Sequence, residues 1–222
     1  DSPSGNIAKD GISVVLAKFN LKAIGEPVRI TAVNVRAYGT VSTNGLDNGK
    51  ILLDGSQIGS TTDLVTAGTD GGAGTDFTNL NVTIPANQTS VLSIVSDVKK
   101  ADSTSYTGGE NVTAKLQSLT AQGNVSLTTI TIAPTVGRLL TIATGVITAE
   151  KNVTLGEFSS SVPTGVANAT NARIASFVVT AGSAEGAYIS QLKLTDTQTP
   201  NTGAGSLCLV TTPGTGSCYQ NL

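Results

Sequence analysis

Alternation with a period of two is the pattern that most constrains this chain. In the stretch VLAKFNLKA, residues 15–23, Val15, Ala17, Phe19, Leu21 and Ala23 stand on one side and Lys18, Asn20 and Lys22 on the other. Successive side chains of an extended strand point to opposite faces, so the stretch reads as a half-buried strand. Gly25, Glu26 and Pro27 turn the chain, after which Val28 and Ile30 share one phase while Val33 and Val35 take the other. One extra residue at Thr31 or Ala32, a β-bulge, reconciles the two halves.

The same texture continues. A polar, glycine-rich loop over residues 39–49 precedes Ile51 to Leu53, the Asp54-Gly55 turn and the return at Gln57 and Ile58, a strong hairpin signal. Leu80, Val82 and Ile84 alternate up to Pro85, and residues 91–95 form an apolar run expected of a strand covered on both faces. Val112, Ala114 and Leu116 alternate; so do Val125 and Leu127 before a phase change to Ile130 and Ile132, and Leu140 and Ile142 close the series. No comparable stretch carries the 3.6-residue period of a helix, and residues 98–103 read as a turn at most. With aromatics at 4%, no Trp and no Met, the core has to be built from Val, Ile, Leu and Ala, a β-rich palette. Short strands separated by Gly, Asn, Asp and Pro predict an all-β fold of Ig-like or similar Greek-key β-sandwich type.

The opening is written twice. KFNLKAIGEPVRITAV, residues 18–33, returns as SFVVTAGSAEGAYISQL, residues 176–192. Phe19 matches Phe177, Glu26 matches Glu185, Ile30 matches Ile189 and Val35 matches Leu194, while Pro3 matches Pro163 in the stretch before. A linker, two strands and a turn recurring in order predict tandem domains. The expected division is a first β-sandwich over 1–147, a linker region over 148–165 and a second, partial sandwich over 166–222. The second unit breaks off where its fifth or sixth strand is due. It is therefore expected to be cut, or to be a smaller domain closed by its cysteines, or to be completed by a strand from another subunit.

Chemistry is sparse. Histidine is absent, which excludes a Ser-His-Asp triad, a Cys-His pair and every histidine-containing metal site. Acids are spread through loops and the aromatic platforms of sugar-cleaving sites are scarce, so no enzymatic activity is expected. Thirteen basic residues against fifteen acidic ones leave no surface to neutralise a run of phosphates, so nucleic acid is not an expected partner. No apolar run approaches the ~20 residues of a membrane span, and the N-terminal DSPSGNIAKDG lacks the charged start and apolar middle of a signal peptide. The chain is thus expected to be a processed or excised piece.

Four sets of residues remain. Cys208 and Cys218 flank a turn containing Pro213, Gly214 and Gly216, and are expected to close a disulfide, the alternative being two buried thiols. A disulfide implies an oxidising, extracytoplasmic location. Asp63, Asp70 and Asp76, with carbonyls of the loop at 68–74, offer oxygens to Ca2+, the alternative being a solvated loop; Asp97, Asp102 and Glu110 form a weaker set. Asn81, Asn87, Asn111, Asn124, Asn152 and Asn168 each begin an Asn-x-Ser/Thr glycosylation triplet. Lys18, Lys22 and Lys115 are isopeptide candidates that nothing in the sequence singles out.

The segments SVVLAKFNLKAIGEPVRITAV, GKILLDGSQIG and NLNVTIPANQTSVLSIVSDV, in that order, resemble the repeat of large Ser/Thr-rich bacterial cell-surface proteins, among them S-layer-like, filament and adhesin stalk proteins. The likeness spans residues 1 to about 145 and returns from about 160. It implies an extracellular structural protein made of tandem sandwiches whose partners are copies of itself, with a carbohydrate-binding adhesin as the alternative. It brings no catalytic residues.

Overall fold

The computed structural model describes residues 2–154 and 175–193. The chain divides into two compact units, Asp1–Gly186 and Ala187–Leu222. The described residues of the second, 187–193, form no regular element.

The first unit is all-β. Among the described residues there is no helix, and fourteen strands run in the order β1 Gly5–Ala8, β2 Val14–Lys22, β3 Val28–Tyr38, β4 Leu46–Leu53, β5 Ser56–Leu64, β6 Thr66–Ala67, β7 Thr75–Phe77, β8 Val82–Ile84, β9 Thr89–Ser96, β10 Asn111–Gly123, β11 Thr129–Ile132, β12 Thr135–Ala143, β13 Ile147–Lys151 and β14 Phe177–Ala181. The larger sheet is ordered β1-β12-β10-β3-β6, with β11 also on β10 and β7 and β8 also on β3. The smaller is ordered β2-β9-β4-β5, and β13 with β14 makes a separate two-stranded ribbon. The chain shuttles between the two main sheets: β2 small, β3 large, β4 and β5 small, β6 to β8 large, β9 small, β10 to β12 large. Two sheets interleaved along the chain in this way are consistent with a β-sandwich.

One core lies between them. The large sheet contributes Ile30, Val33, Val35 and Ala37 from β3, Val112, Ala114, Leu116, Leu119 and Ala121 from β10, and Leu140 and Ile142 from β12. The small sheet contributes Leu16, Ala17, Phe19, Leu46, Ile51, Leu53, Leu92 and Ile94. Two inward positions three residues apart, Ile30 and Val33, need one residue outside the ladder. The register places Ala121 opposite Ile30 and Thr120 opposite Ala32, so Thr31 is that residue and the bulge falls where the phase change put it. On β10, Leu116 and Leu119 pose the same problem, and Gln117 is the extra residue.

The hairpin at Asp54 and Gly55 also forms: Leu53 pairs with Ser56, and the turn residues have φ of 50° and 84°, both left-handed as a two-residue hairpin turn demands. Strand β4 starts earlier than the sequence suggests, at Leu46, because Leu46 pairs with Leu64 and is buried. Within β2 a third bulge, at Leu16, puts both Leu16 and Ala17 inside at 0% exposure, where simple alternation placed only Ala17. Val125 and Leu127 are in a turn and 79% and 66% exposed, so their spacing is not strand alternation. The stretch expected as a linker, 148–165, opens inside β13, which pairs antiparallel with β14 from Lys151 opposite Phe177 to Ile147 opposite Ala181.

Candidate functional site

The outer face of the large sheet is polar, and the glycine-rich loop at 68–74 folds back over it. Arg36 projects from β3 and Lys115 from the neighbouring β10, opposite each other in the ladder. Asp70 meets both: its Oδ2 lies 2.8 Å from Lys115 Nζ and its Oδ1 3.3 Å from an Arg36 guanidinium nitrogen. The other terminal nitrogen of Arg36 donates to the carbonyl of Gly72. The loop and Asp70 cover the two basic side chains, leaving 13% and 12% of them exposed, whereas the Asp70 side chain is 37% exposed. The hydrogen bond from Lys115, joined by the one from Arg36 and by the charges of both, holds the Asp70 carboxyl below its ordinary range against the opposing effect of desolvation.

The three aspartates proposed for calcium are therefore engaged separately. Asp76 Oδ1 accepts from Asn34 Nδ2 at 2.6 Å, and Asp63 Oδ1 accepts from the backbone N–H of Asn48 at 3.1 Å. Among the described residues no three ligating side chains gather around one point. The second acidic set is likewise spent on loops. Asp97 accepts from the Ser13 N–H and Asn48 Nδ2, Asp102 from the N–H and hydroxyl of Thr104, and Glu110 from the Thr107 N–H. The Thr104 hydroxyl, then the Thr104 N–H, draws the Asp102 carboxyl below its ordinary range.

Of the glycosylation triplets, Asn81, Asn87 and Asn124 are exposed. Asn111 is half-buried, and its Oδ1 accepts from the Thr40 N–H at 3.1 Å while its own N–H donates to the Thr40 hydroxyl at 2.7 Å. Asn152 Oδ1 accepts from the N–H and hydroxyl of Thr154, its triplet partner. Asn168, Cys208 and Cys218 lie outside the described residues. Lys18 and Lys22 are exposed on β2, and Lys115 is the partner of Asp70.

Two strand edges complete the site. β2 ends the small sheet, with β9 on one side. The N–H and C=O of Ala23 are bonded to Gln88 and Asn87 on the β9 side, and the N–H of Lys18, five residues away, points the opposite way to the Ser2 hydroxyl at 3.0 Å. Beyond the bulge at Leu16, odd positions of β2 thus bond β9 and even positions turn their backbone groups to the open edge, while the side chains of Lys18 and Asn20 line a recess on the sheet face with Ser2 and Val91. The ribbon of β13 and β14 is exposed at every position, with Ile147 at 50%, Phe177 at 57%, Val178 at 45% and Val179 at 46%. Its ladder is bonded through even positions of both strands: Asn152 N–H donates to Ser176 O and Gly182 N–H to Val146 O.

Compared with protein-family models, with curated proteins and with solved structures, the chain matches none. What it can do is therefore argued from this geometry.

Proposed function

We propose that the chain is a structural protein of the bacterial cell exterior: a repeat module of a surface layer, filament or stalk, built as tandem Ig-like β-sandwiches that associate with copies of themselves. The observation that carries this reading is the recurrence of one strand in two settings. Phe19 sits in β2 on a packed core, and its counterpart Phe177 sits in β14 on a bare ribbon whose apolar side chains face water. Exposed apolar surface of this kind is covered in a working assembly. Load would be borne by the long ladder of β3 against β10, ten paired positions between Val28 and Tyr38, with ladder hydrogen bonds lying across the strands.

The test is self-association. Purified chain is expected to form concentration-dependent oligomers by sedimentation and ordered filaments or sheets by electron microscopy. A chain that stays monomeric while binding a glycan saturably, through the loop at 68–76, would instead favour the adhesin reading.

A further inference from the structure

The sequence match aligns strands β2 and β14, and on that reading the neighbours of each predict the neighbours of the other. Aligning Phe177 with Phe19 places Ser176 on Lys18. The carbonyl of Ser176 bonds β13, and the N–H of Lys18 faces away from β9. Both even-numbered, they mark the same edge of the same element. In β14 this edge carries β13; in β2, among the described residues, it holds only the Ser2 hydroxyl.

We propose that copies of this chain join by strand exchange: β13 of one copy leaves its own β14 and adds antiparallel to the outer edge of β2 in the next. Carrying the β13–β14 register across the Phe177/Phe19 equivalence puts Glu150 opposite Asn20, Thr148 opposite Lys22 and Ile147 opposite Ala23. Glu150 then sits diagonally between Lys18 and Lys22, both exposed, a favourable charge arrangement across a strand pair. The direction of exchange follows from support. A two-stranded ribbon exposed on both faces is marginal in water, whereas β2 is one edge of a four-stranded sheet seated on the core. Strand addition to such an edge contributes main-chain hydrogen bonds along its length. The donor and acceptor patches differ, so the contact is heterologous and propagates rather than closing as a two-fold dimer. The inference rests on the structural reading above and gives it a contact.

Three variants test it. In a Cys208→Ser, Cys218→Ser background, Asn20→Cys with Glu150→Cys should give a ladder of covalent multimers on oxidation, since a directly bonded antiparallel pair lies within disulfide reach. In the same background, Val178→Cys with Glu150→Cys joins residues already opposite in the ribbon, and should lock β13 at home and leave the protein monomeric. In the chain with its own cysteines, Asn20→Pro removes an N–H that faces the open edge and leaves the β9 ladder in place. It should raise the concentration of half-association about tenfold with the circular dichroism spectrum unchanged. If the parent chain assembles but the ladder is missing, or the locked variant assembles equally well, the exchange is wrong and the structural reading stands. If the parent chain is monomeric at every concentration, both fall.

Discussion

At Asp70 one carboxylate ties a run of glycines to a sheet through Lys115 and Arg36. Lys115 and Arg36 hold its folded pKa below the ordinary 3.8, so its contribution is complete above that value and is lost as pH falls through the depressed one. Amide chemical shifts of residues 68–74 should accordingly titrate with a midpoint below 3.8, and in Asp70→Asn these amides should exchange faster already at pH 7. Glu26 behaves alike. The Ser126 hydroxyl, then the N–H groups of Ser126 and Val125, lower its pKa, so the turn at 124–126 should loosen as pH falls through that lowered value. Tyr106 works at the other end of the scale. Its ring is 1% exposed and its hydroxyl donates to the Gly45 carbonyl. Tyr106→Phe leaves that carbonyl without its donor and should cost about 1–3 kcal/mol in urea unfolding. Burial, then the charges of Glu110 and Asp102, push the Tyr106 hydroxyl well above its ordinary 10.0. The unfolded chain ionises first, so stability should fall as pH rises past 10 and should do so less in Tyr106→Phe.

Among the elements, the two sheets come close together at Gly137 of β12. A Cβ there would lie 2.9 Å from the Ala17 Cβ and 2.6 Å from the Ala114 carbonyl oxygen. Gly137→Ala should therefore push β12 off β2 and destabilise by about 1–3 kcal/mol, read as a lower urea midpoint at constant slope. The strands that meet here were legible to different degrees, for physical reasons. The bulge at Thr31 was visible because a phase change leaves Ile30 and Val33 on one side only if a residue is skipped. The bulge at Leu16 was not, because Val14, Val15, Leu16 and Ala17 form a continuous apolar run that fits either phase. Val125 and Leu127 imitate alternation, yet the turn that holds them is fixed by Glu26, about a hundred positions earlier in the chain. The partners of Asp70 were hidden by the same distance: Arg36 and Lys115 come from separate strands that only the folded register sets side by side. Sequence offered Asp70 for calcium and set nothing about Lys115 apart from the other lysines, so neither pointed to the other. The open edges were readable only in outline, since the sequence match suggests which strands to compare and only hydrogen-bond directions show which edge is occupied.

For the whole molecule, the low charge matters as much as the strands. With a net charge of -2 and a pI near 5.0, copies repel one another weakly, so edge contacts are not opposed by long-range forces. The two borders of the small sheet differ, however. At the far side from β2 lies β5, SQIGSTTDL, where all but Ile58 and Leu64 are exposed and the register against β4 slips around Gly49. An irregular, hydroxyl-rich border gives an incoming chain little to match. Material made from this protein should therefore lengthen without thickening. Fibres of the proposed assembly are expected to keep one constant diameter in micrographs at every protein concentration, and replacing the exposed hydroxyl residues Ser60, Thr61 and Thr62 of β5 with valine should be enough to make them broaden into ribbons.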